Sequence, residues 1–102
     1  MSKLYISEYA RVSQASGPAN AIVQAPEEPP IATQVVDFTS GAAQSAAFNT
    51  KTRFVRLHTD AICSVEFGAA PTATALKARL AANQTEYFGV IGGQKVAVIT
   101  NS

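Results

Sequence analysis

Residues 85–100, TEYFGVIGGQKVAVIT, contain the clearest fold signal in the chain. Two runs rich in β-branched and aromatic residues, EYFGVI and KVAVIT, flank Gly92 and Gly93. Adjacent glycines supply the positive φ values that a tight hairpin turn requires. The stretch therefore predicts an antiparallel hairpin that turns at Gly92 and Gly93 and places Tyr87 opposite Val98.

Both faces of this predicted hairpin carry apolar side chains. Val96 and Val98 lie on one face, and Phe88 and Ile99 lie on the other. A sheet face in contact with water is normally more polar than either of these. We therefore expect the face with Phe88 and Ile99 to be covered, either by the N-terminal region of the chain or by another subunit.

A second hairpin is predicted immediately upstream. RFVRLHT and ICSVEFG each place alternate apolar residues on one face and are separated by a turn at Asp60. A register closed around this turn places Arg56 opposite Glu66, a cross-strand pair worth up to about 1 kcal/mol. The two hairpins together predict one sandwich core, formed by Val55, Leu57, Cys63, Val65, Phe67, Tyr87, Val96 and Val98.

The N-terminal third differs in composition from the rest. Most prolines lie in residues 1–34, and proline lacks the N–H that a central strand needs. QAPEEPPIATQ therefore predicts an extended, polyproline-like arm, preceded by a strand candidate in KLYISEYARV. We predict a strand and arm over 1–34, docked outside a β-sandwich domain over 35–102. The candidate interface residues are Leu4, Tyr5, Ile6, Tyr9, Pro26, Pro29 and Pro30, together with Phe88 and Ile99.

Residues 69–85, AAPTATALKARLAANQT, leave two alternatives open. Ala73, Leu76 and Leu80 recur at helical spacing, and alanine has the highest helix propensity. The scarcity of large apolar residues and the flanking strands favour extended structure instead. Across the rest of the chain, short strands at roughly 8–12-residue spacing predict an all-β fold, a small antiparallel sandwich or a barrel.

Length and charge argue against several classes of function. The chain has 102 residues, the size of one domain, and 8 basic against 7 acidic residues. Nucleic-acid binders usually concentrate basic residues on one face, so we expect no nucleic-acid partner. No apolar run reaches the length of a membrane span, and the N-terminus lacks the apolar segment of a signal peptide, so no membrane association is expected.

Residues able to carry catalysis or bind a metal are few. The single cysteine, Cys63, and the single histidine, His58, face opposite sides of the predicted hairpin, so they do not form a nucleophile–base pair. One cysteine and one histidine cannot build a metal cage, and the carboxylates are scattered. We therefore predict no catalytic residue, metal site or cofactor. Cys63 is expected in the core, and His58 at the surface or an interface.

Residues 48–100 resemble the small head decoration, or cement, proteins that coat the capsids of tailed bacteriophages. The matching features are TRFVR, CSVEFG, PTAT and EYF followed by GGQKVAV. The resemblance implies a jelly-roll-like sandwich in which 69–85 is extended, with a short strand at 77–80. It also implies a non-enzymatic virion protein, made in the host cytoplasm. Such a protein binds the major capsid protein at the outer capsid surface as a homo-oligomer, a dimer or trimer, and stabilises the lattice.

Other functions remain as alternatives. Small phage tail and head-completion proteins have similar sequence features. Ligand- or carbohydrate-binding β-sandwiches usually present aromatic platforms, whereas this chain has no tryptophan and 3 tyrosines. A cupin-like enzyme needs several metal-binding histidines. These comparisons favour the virion structural protein.

Overall fold

The computed structural model describes residues 2–14, 22–26, 28–74 and 76–101. All regular structure within these ranges is β, and no membrane-spanning helix occurs among them. The strands are β1 Lys3–Tyr9, β2 Val12–Gln14, β3 Ile22–Pro26, β4 Ala32–Asp37, β5 Ala43–Gln44, β6 Phe54–Thr59, β7 Cys63–Gly68, β8 Ala78–Leu80, β9 Thr85–Gly89 and β10 Lys95–Thr100.

Two antiparallel sheets of four strands form the body of the fold. The first sheet has the strand order β4-β1-β6-β9, and the second has the order β5-β10-β7-β8. Strands β2 and β3 pair separately as a two-stranded sheet. Apolar residues from the facing sides of both large sheets share one buried cluster. The all-β prediction is confirmed, and the arrangement is that of a small sandwich.

Strand β1 lies between β4 and β6 in the first sheet. Its alternation places Leu4 and Ile6 in the core, where they are 0% and 1% exposed. The expectation that the N-terminal region docks outside the sandwich is therefore wrong for β1. The predicted boundary at residue 34 falls inside β4. Since β4 also pairs with β1, the chain does not divide into two parts at this position.

Neither predicted hairpin forms. β6 pairs with β1 and β9, whereas β7 pairs with β10 and β8, so the turn at Asp60 carries the chain from one sheet to the other. The segment containing Gly92 and Gly93 makes a second crossing of this kind, from β9 to β10. The predicted Arg56–Glu66 pair is consequently wrong. Glu66 instead forms a salt bridge of 3.1 Å with Lys77.

The core keeps most of its predicted members. Six of the eight predicted residues are at most 1% exposed: Val55, Leu57, Cys63, Val65, Val96 and Val98. Phe67 is only partly buried, although it packs against the cluster. Tyr87 is 50% exposed, because β9 turns Phe88 rather than Tyr87 towards the core.

The loop before β8 covers the outer side of the second sheet. The side-chain amide of Gln44 donates to the carbonyl of Pro71 at 2.7 Å, which holds the loop against β5. Ala97 is 2% exposed even though it points away from the core, and Pro71 and Ala73 are buried beside it. The described part of 69–85 contains no helix: a loop leads into the short strand β8, and a turn connects β8 to β9.

Gly92 sits where two connections between the sheets meet. The backbone of Phe48 bonds to that of Gln94 and Gly93, at 2.8 and 3.1 Å, and holds residues 48–50 beside the β9–β10 loop. A Cβ at Gly92 would clash with the backbone carbonyl of Thr50. The sequence predicted a glycine requirement here, but at Gly92 the physical cause is close backbone approach. Of the two adjacent glycines, Gly93 has the positive φ, 87°.

Replacing Gly92 with alanine is expected to lower the free energy of unfolding by about 1–3 kcal/mol, because the added methyl group pushes the two connections apart. Chemical denaturation followed by circular dichroism measures the change. Gly68→Ala is the matched control, since a Cβ at Gly68 meets no atom within 4 Å. Equal stability of the two variants would contradict the close approach.

Candidate functional site

The outer face of the first sheet presents a row of partly exposed side chains across its strands. In β1, Tyr5 pairs with Val35 of β4 on one side and His58 of β6 on the other. His58 continues the row through a 2.8 Å hydrogen bond between its Nδ1 and the Thr85 hydroxyl. Tyr5 and Val35 are 41% and 56% exposed, so apolar surface faces outward here.

A second row crosses the same strands parallel to the first, two residues further along each strand. Ser7 pairs with Thr33 and Arg56, and Arg56 pairs with Tyr87 of β9. Among the described residues, no carboxylate forms an ion pair with Arg56. Arg56 therefore stands on the outer face between Ser7 and Tyr87 with no ion-pair partner there, and a guanidinium beside an aromatic residue can bind both apolar groups and an anion.

An open depression of about 650 Å³ lies over part of these rows. Its floor consists of residues from β1, β4 and β6, and Asp60 borders it at the crossing between the sheets. The position follows from strand alternation, since residues of one parity on adjacent strands share a face. We use "outer face" below for Tyr5, Ser7, Thr33, Val35, Arg56, His58 and Tyr87.

The predicted interface residues divide among several environments. Leu4 and Ile6 belong to the core, so their assignment to an interface is wrong. Phe88 packs against the same core from β9, and Ile99 is half-buried on the opposite sheet. Tyr5 is the predicted residue that the outer face exposes.

Tyr9 is buried at the end of β1, although it points to the same side as Tyr5. Its ring stacks on Phe54, with centroids 5.3 Å apart, and its hydroxyl donates to Glu28 at 2.8 Å. Burial, followed by the Glu28 contact, raises the pKa of the Tyr9 hydroxyl. Tyr9 thus anchors the segment before β4 to the sheet.

The proline residues of the predicted interface are not among the outer-face residues. Pro29 is exposed and Pro30 half-buried, and both precede β4. The side chain of Pro26, at the end of β3, lies outside what the structure describes. The prediction of an interface along these prolines stays untested.

Five residues of the outer face were not predicted from the sequence: Ser7, Thr33, Val35, Arg56 and Tyr87. Arg56 stood in a predicted strand with the wrong partner, and no partner was predicted for Val35, so their common face was hidden. Tyr87 was assigned to the core on the assumption of a hairpin with β10. The alternation within β4 and β6, ATQVVD and FVRLHT, was the available signal for Val35 and Arg56.

Cys63 and His58 occupy separate layers of the sandwich. Cys63 is 0% exposed on the inner side of the second sheet, where its thiol contacts the Thr59 hydroxyl at 3.6 Å. Burial raises the pKa of the Cys63 thiol, which disfavours the reactive thiolate. His58 lies on the outer face of the first sheet. Cys63 is thus a core residue, as predicted, and lies apart from the imidazole.

The described residues contain no group of three or more histidine, cysteine, aspartate or glutamate side chains able to hold a metal ion. Comparisons of the chain with family models, curated proteins and solved structures found no match.

Proposed function

We propose that this chain is a non-enzymatic virion structural protein, a decoration protein that binds the major capsid protein on the outer surface of a tailed-phage capsid. The exposed outer face of the first sheet carries this proposal. Tyrosine and arginine dominate the binding energy of many protein interfaces, and Tyr5, Arg56 and Tyr87 share this face. A sheet holds such residues at fixed spacing, so little conformational entropy is lost on binding.

The strand order supports the jelly-roll-like topology that the sequence resemblance implied. From β4 onward, successive strands alternate between the two sheets, except that β7 and β8 are neighbours in one sheet. β1 occupies the position between β4 and β6 that the last strand of a jelly roll would fill. Jelly rolls recur in viral capsid and lectin domains. The topology is therefore compatible with a role in the virion.

Co-sedimentation with capsids tests the proposal. The capsids are assembled from the major capsid protein encoded in the same genome as this chain. We expect the wild-type protein to pellet with them, and Arg56→Glu to weaken binding roughly tenfold or more, because it reverses the central charge of the outer face.

Arg79→Glu is the matched control, since Arg79 is exposed on β8 of the other sheet. It should bind capsids like the wild type. Circular dichroism confirms that both variants are folded. Absence of wild-type binding, or equal weakening by both variants, would contradict the proposed use of the outer face.

The open depression also favours a second candidate, a carbohydrate-binding module. Tyr5 borders it with an exposed aromatic ring, and Ser7 and Thr33 supply hydroxyl groups around it. Aromatic rings beside hydrogen-bonding groups suit a sugar ring. Binding on a glycan array that Tyr5→Ala abolishes, together with no capsid binding, would favour this candidate over the decoration protein.

A further inference from the structure

The outer edge of β9 is an unpaired edge of the first sheet, and no backbone hydrogen bond from this edge occurs in the described part of the chain. At the other end of the same sheet, the side chain of Gln34 in β4 bonds both backbone groups of Ala46, at 2.9 and 3.2 Å. In the second sheet, the edge strands are β5, of 2 residues, and β8, of 3 residues with Arg79 at its centre. Short strands and cations protect sheet edges from pairing. β9, TEYFG, has neither protection, nor a proline.

The hydrogen bonds to β6 define which groups of β9 point outward. The carbonyl of Gln84 accepts from Thr59 N–H at 3.2 Å, and Val90 N–H donates to Arg53 at 2.9 Å. Backbone direction alternates along an antiparallel strand, so even-numbered residues of this segment face β6. The N–H and C=O groups of the odd-numbered residues, Thr85, Tyr87 and Gly89, therefore point away from the sheet.

We propose that a second copy of this chain pairs its β9 with this edge, antiparallel, about a two-fold axis at Tyr87. In this register Tyr87 lies opposite Tyr87 of the other copy, and Thr85 lies opposite Gly89. Every outward-facing residue then belongs to a hydrogen-bonded pair that exchanges both N–H···O=C bonds. The two first sheets join into one continuous sheet across the dimer.

The side chains favour this register over its neighbour. The two Tyr87 rings, each 50% exposed in the single chain, meet on the outer face as an aromatic cross-strand pair. On the opposite face of the joined sheet, Glu86 of each copy lies opposite Phe88 of the other copy. A shift of the axis to Glu86 would bring two carboxylates directly opposite one another, which is destabilising. This dimer would be the homo-oligomer of the proposed decoration protein, and its role on the capsid rests on that proposed function.

Cysteine cross-linking in the full chain tests the pairing without any capsid. Directly opposite Cα atoms of a hydrogen-bonded pair are about 5.5 Å apart, a separation that a disulfide spans. We expect Tyr87→Cys to form a covalent dimer under mild oxidation. Thr85→Cys is the matched control, because its two copies are offset by roughly 13 Å along the strands and should not cross-link. The native Cys63 is buried in the core and does not compete.

Sedimentation velocity on the unmodified chain provides the second measurement. We expect a concentration-dependent dimer whose dissociation constant rises about tenfold or more in Tyr87→Lys, because two cations then face each other. Val35→Lys, at the opposite edge of the same sheet, should dimerise like the wild type. A wild-type chain that stays monomeric at concentrations used for NMR would overturn the proposal, as would equal cross-linking of the two cysteine variants. Loss of capsid binding with normal cross-linking would instead overturn only the proposed function.

Discussion

Replacing Glu8 with alanine is expected to lower the free energy of unfolding by roughly 3–5 kcal/mol. The Glu8 side chain is 1% exposed at the end of β1. Its carboxylate accepts hydrogen bonds from the Asn49 N–H and the Thr52 hydroxyl, both at 2.8 Å, and from the Gln34 amide at 2.9 Å. Alanine leaves these donors without their acceptor and detaches the β5–β6 connection from the first sheet. Urea denaturation followed by circular dichroism measures the loss.

Two milder substitutions separate the hydrogen bonds from the volume of Glu8. Glu8→Gln keeps the shape but introduces a donor. The amide of Gln34 is already oriented by Ala46, so one donor must face another, at a cost of about 1.5–3 kcal/mol. Thr52→Val removes one donor at nearly constant volume and should cost about 1 kcal/mol. If Glu8→Ala is no less stable than Thr52→Val, the Glu8 carboxylate does not hold the β5–β6 connection.

Strand positions were predictable from the sequence because alternation is a local property. Val55 and Leu57 in β6, and Val65 in β7, are apolar at every second residue, and all three are buried as predicted. Strand partners were not predictable in the same way. A hairpin and a crossing between facing sheets bury the same inward side chains, so the alternation is identical in both. The choice depends on β1 and β10, which are distant in sequence and supply the actual neighbours.

The error at β9 has a specific physical cause. A tight turn at Gly92 and Gly93 would have placed Tyr87 on the same side as Val98. Because β9 joins the first sheet instead, its inward side is defined by β6, where Phe88 pairs with Val55. A one-residue change of register turns every side chain of a strand to the opposite face. The assignment of Tyr87 to the core and of Phe88 to an interface was thus a single error.

The candidate interface in the N-terminal region was predictable only in part. The alternation of KLYISEY places Tyr5 on the opposite side of the strand from Leu4 and Ile6. All three were nevertheless assigned to the interface, because a single strand does not reveal whether it has one neighbour or two. The nearby prolines suggested an edge or an arm. β1 contains no proline, however, and its two neighbours, β4 and β6, both begin after Pro30. The prolines of residues 26–30 argue against a central strand only where they lie. They carry no information about β1, which is more than ten residues upstream.

Phe38→Ala is expected to cost about 3–5 kcal/mol in the free energy of unfolding. Phe38 is 0% exposed, is the largest fully buried side chain among the described residues, and belongs to the cluster that contains Leu4. Its N–H also bonds to Ser2 at 2.9 Å, so the backbone cannot move freely into the cavity. Thermal unfolding measures the change, and Val35→Ala, at an exposed position on β4, should stay within about 0.5 kcal/mol of wild type. Phe67→Ala serves as the aromatic control, since Phe67 is only partly buried and should lose less. A larger loss of stability in Phe67→Ala than in Phe38→Ala would contradict the placement of Phe38 at the centre of the core.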